Sequence, residues 1–206
     1  SHTFGSLGTA FRNSSIRKLI IQSMGFEGVF EVTKDYLQPI LKAQALALMV
    51  FIALPEKEST AIVVGAVYFV LFVISASASR RAHIFAKRFP SEETAIIVLI
   101  FSGSILALLS SAGFHFKIFI LAIAAYIVYY VIQNIWRPIL VAQYDDHAES
   151  HQQATILSIE SQTKTVGITI IAPVAGYMAD HFGIQSSLLL LSVIMLALGL
   201  FSLKRK

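Results

Sequence analysis

The sequence lacks cysteine altogether and contains few charged residues. Without cysteine, its 206 residues can form no disulfide bond, no thiolate metal site and no cysteine nucleophile. Charged residues make up 14% of the chain, where soluble domains have about a quarter, and hydrophobic residues make up 56%. The mean hydropathy is +0.72. These values predict a membrane protein with no sizeable soluble domain.

The basic residues do not form a nucleic-acid-binding surface, although the formal net charge is +4. Such a surface needs basic side chains in one patch with aromatic residues between them, and here they mark loops. The segment from Ser1 to Asn13 also lacks the basic start, apolar stretch and cleavage site of a signal peptide. Because Ser1 is not an initiating methionine, we expect the chain to be truncated at its front.

Six apolar segments are long enough to form transmembrane helices, which need about 20 residues each. They cover residues 15–41, 60–79, 93–113, 118–136, 152–178 and 184–203. Helix breakers, Pro55, Pro90 and Gly183, separate neighbouring segments. The apolar stretch from Ala43 to Leu54 is too short to cross, so it either extends the first helix or lies at the interface. The sequence therefore predicts an all-α membrane protein with six transmembrane helices.

Lysine and arginine are distributed unequally between the two sides of this arrangement. One side receives Arg12, Arg17, Lys18, Arg80, Arg81, Lys87, Arg88, Arg137, Lys204, Arg205 and Lys206. The other side receives only Lys34, Lys42, Lys57 and Lys117, and Lys164 lies within the fifth span. Because cytoplasmic loops carry the excess of positive charge, we expect both termini in the cytoplasm.

The six spans differ in polarity. The third and sixth have no charged residue in their interiors and are expected to face lipid, whereas the first and fifth each carry several ionisable groups. The fourth carries tyrosines and amides and ends in Arg137. If the six spans are divided into two groups of three, each group begins with a polar helix and ends with a helix that has no interior charge. This pattern predicts a three-plus-three inverted repeat.

Three stretches carry a resemblance to a known family. Asp35 to Pro39, Asp-Tyr-Leu-Gln-Pro, is similar to the outer end of a first helix in that family. Ser75 to Arg88 is similar to its basic loop, without the Gly and Asp of the full Gly-x-x-x-Asp-Arg-x-Gly motif. Ala154 to Ser161, followed by Ala172 to Gly183, is similar to a helix that begins Ala-Thr-x-Leu-Ser and ends Gly-x-x-Ala-Asp-x-x-Gly. In this order they resemble the carboxy-terminal six-helix half of a major facilitator superfamily transporter.

The resemblance implies a secondary active transporter that moves a small organic solute by alternating access, coupled to protons, with drug efflux as one candidate activity. It implies that the first and fourth helices line a central cavity, the second and fifth flank it, and the third and sixth support it. The partners would be the solute, protons, the lipid bilayer, and a missing amino-terminal half of the transporter or a second copy of this chain. The location would be a bacterial inner membrane. No cofactor is expected.

Glu27 and Glu31 are the leading candidate functional residues. They lie four residues apart on the first span, on one stripe with Lys34 or Asp35 and with Gln38. By the helical rise, Glu27 lies about 16 Å from the start of the span, near the bilayer centre. A charge there costs about 2.5 to 3.5 kcal/mol on insertion scales, so neither carboxylate should face lipid. They are interpreted as a site for proton coupling or a cationic substrate; a structural ion pair, or a position at the surface, is the alternative.

Glu160 and Lys164 lie four residues apart on the fifth span and can pair with each other. An internal salt bridge is one interpretation of this spacing. In the other, Lys164 pairs with Glu27 or Glu31 in one conformation and with Glu160 in another. Such an exchange of partners would link protonation to a conformational change.

The fourth span carries a polar face. It contains, at helical spacing, Tyr126, Tyr130, Gln133 or Asn134, and Arg137. Aromatic faces with a few amides suit amphipathic ligands, so Tyr126, Tyr130 and Asn134 are predicted to line the cavity together with Gln38. The alternative is an aromatic belt at the membrane interface.

A second class of function is a non-transporting scaffold or sensor, in which the charges of the same helical bundle are fixed ion pairs. An intramembrane enzyme is not predicted, because no nucleophile and base, and no set of metal ligands, fall at a common depth. His147 and His151 lie four residues apart beside acidic residues, and they are interpreted as part of a solvated loop rather than a metal site.

Overall fold

The computed structural model describes residues 14–48, 56–147 and 153–203, with the side chains of 37–48, 56–60 and 63 excepted. Within these ranges the regular structure is entirely helical, and no strand is present. The seven helices are α1 (Ser14–Leu48), α2 (Glu56–Arg80), α3 (Ala82–Ala86), α4 (Glu92–His115), α5 (Phe119–His147), α6 (Gln153–Phe182) and α7 (Ile184–Leu203). The predicted all-α fold is confirmed for this part of the chain.

Each of the six predicted segments is helical, and the short α3 lies in the connection between the second and the third. The predicted and observed ends agree within four residues except at two places. α1 continues to Leu48, which favours an extension of the first helix over a separate interfacial piece for the stretch that begins at Ala43. Residues 49–55 lie outside the described ranges. α5 continues to His147, eleven residues beyond the predicted end at Trp136.

Local signals explain several of the helix ends. Ser91 caps α4, since its Oγ accepts a hydrogen bond from the backbone N–H of Thr94 at 3.1 Å. Gly183 separates α6 from α7 with a φ of +85°, in the left-handed region that glycine adopts without strain. Pro138 does not end α5, because neighbouring helices can compensate for the backbone hydrogen bond that a proline removes.

Three helices, α4, α5 and α7, are long and apolar enough to span a membrane by length and composition. α1 and α6 have ample length, at 35 and 30 residues, but their sequences are less apolar. The three apolar helices indicate a membrane protein, as the composition predicted.

α1 packs closely between α5 and α6. Phe26 is fully buried and stacks on Trp136 of α5, with ring centroids 4.4 Å apart and ring planes at 18°. Tyr129 of α5 meets Phe26 edge-on at 6.1 Å. Against α6, a Cβ atom built on Gly167 would lie 2.8 Å from the carbonyl oxygen of Met24, so this contact needs glycine. This close packing brings the charged residues of three helices together.

α4 and α7 pack against each other through small polar residues. The hydroxyl of Ser104 donates to the carbonyl oxygen of Ser192, and the hydroxyl of Ser192 donates to that of Ser104, both at 2.9 Å. Ser111 donates to the carbonyl oxygen of Gln185 at 2.7 Å. The opposite faces expose apolar side chains, among them Ile105, Leu108, Val193 and Leu200. Each helix therefore has one buried face and one apolar outer face of the kind expected against lipid.

Candidate functional site

Three helices bring a cluster of charged side chains together. α1 contributes Glu27 and Glu31, α5 contributes Arg137, and α6 contributes Glu160 and Lys164. We call these five residues the charge network. Four of the five are the acid and base candidates of the sequence analysis, and the structure places the pair from α1 beside the pair from α6, more than 120 residues away in the chain.

Glu27 is buried between the two cations of the charge network. Its Oε2 lies 2.8 Å from Nζ of Lys164, and its Oε1 lies 3.6 Å from Nη1 of Arg137. The second distance is too long for a hydrogen bond, and Oε1 has no hydrogen-bond partner among the described residues. The carboxylate lies inside the protein, as expected from the cost of exposing it to lipid.

Glu160 is fully engaged by its neighbours. Arg137 donates from Nη1 to Oε1 at 2.6 Å and from Nη2 to Oε2 at 2.9 Å, a two-pronged pairing that is among the stronger hydrogen-bonded arrangements. The hydroxyl of Ser23 on α1 donates to the same carboxylate. This pair therefore joins α5 to α6, and Ser23 connects it to α1.

Glu31 lies one turn beyond Glu27 and is partly exposed. Its Oε1 lies 3.4 Å from Nζ of Lys164, and its other oxygen accepts a hydrogen bond from Lys34 on the same helix. Lys164 thus contacts two carboxylates of α1 at once. If Lys34 is counted with the charge network, three carboxylates lie beside three cations and the formal charges cancel. These groups are Glu27, Glu31 and Glu160, and Lys34, Arg137 and Lys164.

Lys164 does not pair with Glu160 in this structure. Among the described residues, the ion pairs within 4 Å of Lys164 are those with Glu27 and Glu31, and those of Glu160 are with Arg137. The internal salt bridge considered from the spacing of four residues is therefore not formed. Lys164 instead reaches α1, which is one of the two pairings in the other interpretation, and the exchange of partners stays a prediction.

The charge network lies well inside its helices. Glu27 is 13 residues into α1 and Lys164 is 11 residues into α6, which correspond to about 20 Å and 17 Å along the two axes. These depths differ by less than one turn, in keeping with the direct contact of Glu27 with Lys164. If α1 and α6 cross a bilayer, both charges lie within its hydrocarbon region.

Arg137 is the member of the charge network that the sequence analysis did not name as a coupling residue. The prediction ended the fourth span at Trp136, counted Arg137 with the basic residues of the cytoplasmic side, and placed it at the end of the polar face that begins at Tyr126. In the structure α5 continues through Pro138, and Arg137 points to Glu160. Its helical spacing from Tyr130 was the available signal for an interior position.

The tyrosines of α5 lie beside the charge network rather than in it. Tyr126 is buried against Leu71 of α2, with its ring 6.3 Å from that of Tyr130. Asn134 donates from its side-chain amide to the carbonyl oxygen of Tyr130 at 2.9 Å. The side chain of Gln38 lies outside the described residues. The role of these four residues in lining a cavity stays a prediction.

Comparison with known proteins gives no identification. Neither a protein-family model nor a curated protein sequence matches this chain. The resemblance suggested by the motifs therefore stays a prediction, and the functional argument rests on the chemistry of the charge network.

The charge network has a chemical property that fixed ion pairs lack, because its members have more than one partner within reach. Lys164 contacts Glu27 and Glu31, and Arg137 lies 2.6 Å from Glu160 and 3.6 Å from Glu27. A proton on Glu27 would remove a charge that both cations face. The cations could then shift toward the remaining carboxylates with movements of about an ångström.

Proposed function

We propose that this chain is a six-span half of a secondary active transporter of the major facilitator type, which moves a small organic solute by alternating access coupled to protons. In this proposal α1, α2 and α6 cross the bilayer together with the three apolar helices. The observation that carries the proposal is the charge network, which joins three helices at matching depth and includes a buried carboxylate with one oxygen free of hydrogen bonds among the described residues.

The lengths and the placement of charge support six spans. α1, α2 and α6 contain 35, 25 and 30 residues, and about 20 residues cross the hydrocarbon core. The charges that make α1 and α6 less apolar, Glu27 and Glu160, are buried within the protein. Intramembrane ionisable groups that face the bundle interior are typical of proton and solute pathways.

The packing of α4 and α7 supports an inverted repeat. These helices hold the third place in each triplet of the proposed six, and Ser104 and Ser192 exchange equivalent hydrogen bonds between them. A reciprocal contact of this kind is what a two-fold relation between the triplets produces. The polar helices α1 and α5 hold the first places and meet at the charge network.

In the proposed mechanism Glu27 accepts the coupling proton. A protonated Glu27 no longer holds Lys164, which moves to Glu31, and no longer attracts Arg137, which stays with Glu160. The attraction between α1 and Arg137 of α5 is therefore lost when the proton binds, and the contact of α1 with Lys164 of α6 moves by one turn, from Glu27 to Glu31. This difference biases two conformations of the bundle, as coupling of proton binding to alternating access requires.

The same proposal includes a partner for the exposed side of the charge network. Lys164, Arg137 and Glu31 are each about a quarter to a third exposed, at depths where lipid is a poor solvent for charge. Water in a central cavity, bordered by an amino-terminal half of the transporter or by a second copy of this chain, would satisfy these groups.

The test is solute-driven proton movement in proteoliposomes. The complete gene product is reconstituted with a pH-sensitive dye inside, and benzenesulfonate, benzyltrimethylammonium and a panel of neutral solutes are added in turn. We expect at least one solute to change the internal pH, and Glu27→Gln to abolish the change. Glu93→Gln, which alters an exposed carboxylate at the start of α4, should retain it.

The competing function is a non-transporting scaffold or sensor. The observation in its favour is that the formal charges of Glu27, Glu31 and Glu160 are cancelled by nearby cations, as in a purely structural cluster. Under that function no solute moves protons, although Glu27→Gln still lowers stability. Thermal unfolding of each variant shows whether the packing of α1 on α5, where Phe26 stacks on Trp136, is kept.

A further inference from the structure

The exposed side of the charge network is cationic. The side-chain exposures are 36% for Arg137, 28% for Lys164 and 37% for Lys34, against 2% for Glu27, 1% for Glu160 and 26% for Glu31. Two of the three carboxylates are thus covered, whereas every cation is accessible. A ligand that approaches the charge network from its open side meets positive charge first.

The accessible cations also have unused hydrogen-bond donors. A guanidinium has five N–H groups, and Arg137 uses two of them on Glu160. An ammonium has three, and Lys164 directs its donors to one oxygen each of Glu27 and Glu31. Since the oxygens of Glu160 are already occupied, donors exceed acceptors on the open side, and a ligand there must supply acceptors.

The surroundings on α6 add no competing negative charge. Near Lys164 on this helix, Ser161, Gln162 and Thr165 are exposed and polar, and Val166 is exposed and apolar. After Glu160, α6 has no acidic residue until Asp180. On α1 the next exposed acid is Asp35, one turn beyond Glu31 and adjacent to Lys34. The open side therefore combines three cations and one partly exposed carboxylate, that of Glu31, with neutral side chains of α6.

We propose that the charge network binds a small organic anion, and that Arg137 and Lys164 hold its carboxylate or phosphate group. Both cations already face the single carboxylate of Glu27, at 3.6 Å and 2.8 Å, so one anionic group of that size can bridge them. The proposal rests on the proposed transport function for its physiological meaning, and it replaces the cationic substrate considered from the sequence. Binding itself can be tested separately from transport.

Glu27 and the ligand compete for the same two cations in this arrangement. A proton on Glu27 releases Arg137 and Lys164, so the anion and the proton favour each other's binding. Other titratable or charged groups face Glu27 too: from α5 Tyr129 and Tyr144, from α6 Glu160, and on α1 Glu31. α7 carries no charged residue, and Tyr68 of α2 lies nearer to Lys34 and Asp35. We therefore expect Glu27→Gln, which removes the competing charge, to bind the anion more tightly.

The experiment compares probes of similar shape and different charge. Binding of benzoate, phenyl phosphate, benzyl alcohol and benzyltrimethylammonium to the purified complete protein is followed by thermal stabilisation. We expect benzoate or phenyl phosphate to bind and the cation not to bind. Whichever anion binds better distinguishes a carboxylate ligand from a phosphate ligand.

Variants locate the binding site. Arg137→Gln and Lys164→Gln should each weaken anion binding at least tenfold, whereas Lys164→Arg should retain it because the charge is kept. Lys18→Gln, which alters a lysine at the far end of α1 paired with Glu93, should have no effect. If Arg137→Gln or Lys164→Gln does not fold, the double variant Arg137→Gln with Glu160→Gln, which removes a cation together with its carboxylate partner, still decides whether positive charge is required.

The outcomes separate this inference from the transport proposal. Binding of the cation alone, binding of no probe, or anion binding unaffected by Arg137→Gln and Lys164→Gln would overturn the anion site. If benzyltrimethylammonium drives proton movement that depends on Glu27, transport stands and the anion inference is wrong. If anions bind at Arg137 and Lys164 but no solute moves protons, the site stands and the transport function is wrong.

Discussion

The interface of α4 with α7 and that of α1 with α5 and α6 are held by opposite kinds of interaction. Between α4 and α7, every polar contact described above is a hydroxyl bonded to a backbone carbonyl, as between Ser104 and Ser192. Between α1, α5 and α6, carboxylates bond to long cationic side chains, as Glu27 does to Lys164. At the first interface the acceptors for each of these two hydroxyls lie on a single facing residue, whereas at the second each cation has two carboxylates within reach.

This difference indicates which part of the bundle can change its contacts. Ser104 has the carbonyl and, at 3.4 Å, the hydroxyl of Ser192 as acceptors, so its side chain can turn without changing the residue that it contacts across the α4 and α7 interface. Lys164 and Arg137 can transfer between carboxylates by side-chain movement alone. We infer that α4 and α7 form a fixed support and that α1, α5 and α6 form the responsive part of the fold.

The largest expected effect comes from breaking the charge network at Arg137. Arg137→Gln leaves the buried carboxylate of Glu160 with only the Ser23 hydroxyl as a close donor among the described residues. Removing one partner of a buried pair costs about 3 kcal/mol or more. Unfolding of the purified protein in detergent, followed by the emission of Trp136, measures the change in free energy.

A double variant is the control for this prediction. Arg137→Gln with Glu160→Gln removes both charges, so it should recover most of the lost stability, because replacing a whole buried pair is often close to neutral. Arg137→Lys should be intermediate, since lysine keeps the charge but loses the two-pronged geometry. A double variant no more stable than the single one would show that Arg137 acts by packing rather than by charge.

The next effect concerns the contact that holds the charge network together. A methyl group on Gly167 would lie 2.8 Å from the backbone oxygen of Met24, and that atom cannot move without shifting α1. We expect Gly167→Ala to cost about 1 to 3 kcal/mol, as overpacking of a tight contact does. The same detergent unfolding measures it.

The matched control lies on the same helix. A methyl group on Gly176 would meet no atom within 4 Å among the described residues, so Gly176→Ala should cause no loss of stability. If Gly167→Ala and Gly176→Ala changed the stability equally, the close approach of α1 to α6 would not be the reason for glycine at position 167. The position of Lys164 beside Glu27 would then need another explanation.

Much of the fold follows from apolar length and local breakers. The sixth segment was predicted at the observed bounds of α7, because Gly183 marks its start and the run of leucines after it is typical of an apolar helix. The ends of α1 and α5 were less predictable. In a single sequence a proline such as Pro138 usually predicts that a helix ends before it. In the structure α5 continues through Pro138, and the nearby Trp136 stacks on Phe26 of α1.

The site was predictable in its members and not in its pairing. Glu27, Glu31, Glu160 and Lys164 stand out because charge inside an apolar segment is costly, a cost that any single sequence displays. Which acid pairs with which base depends on the rotation of each helix about its axis, and packing such as that of Gly167 on Met24 sets that rotation. Local spacing favoured the pair of Glu160 with Lys164, and tertiary packing overrode it.

The smallest expected effect lies in the neutral interface. Ser104→Ala removes one hydroxyl donor to Ser192, and interhelical hydrogen bonds of this kind contribute about 0.6 kcal/mol on average in membrane proteins. Detergent unfolding should show a loss of about that size, and Ser104→Ala with Ser192→Ala should lose about twice as much. Ser102→Ala is the control and should be neutral, because its hydroxyl bonds to Val98 of its own helix.

The same substitutions distinguish a support from a responsive part. If α4 and α7 only hold the bundle together, loss of the hydroxyls of Ser104 and Ser192 lowers stability and leaves solute-driven proton movement and its pH dependence unchanged. Gly167→Ala, by contrast, should alter both, since it displaces α1 from the charge network. A change in proton movement in the double serine variant, at a stability that still keeps the protein folded, would mean that the α4 and α7 interface rearranges too, and the division between the two regions would fail.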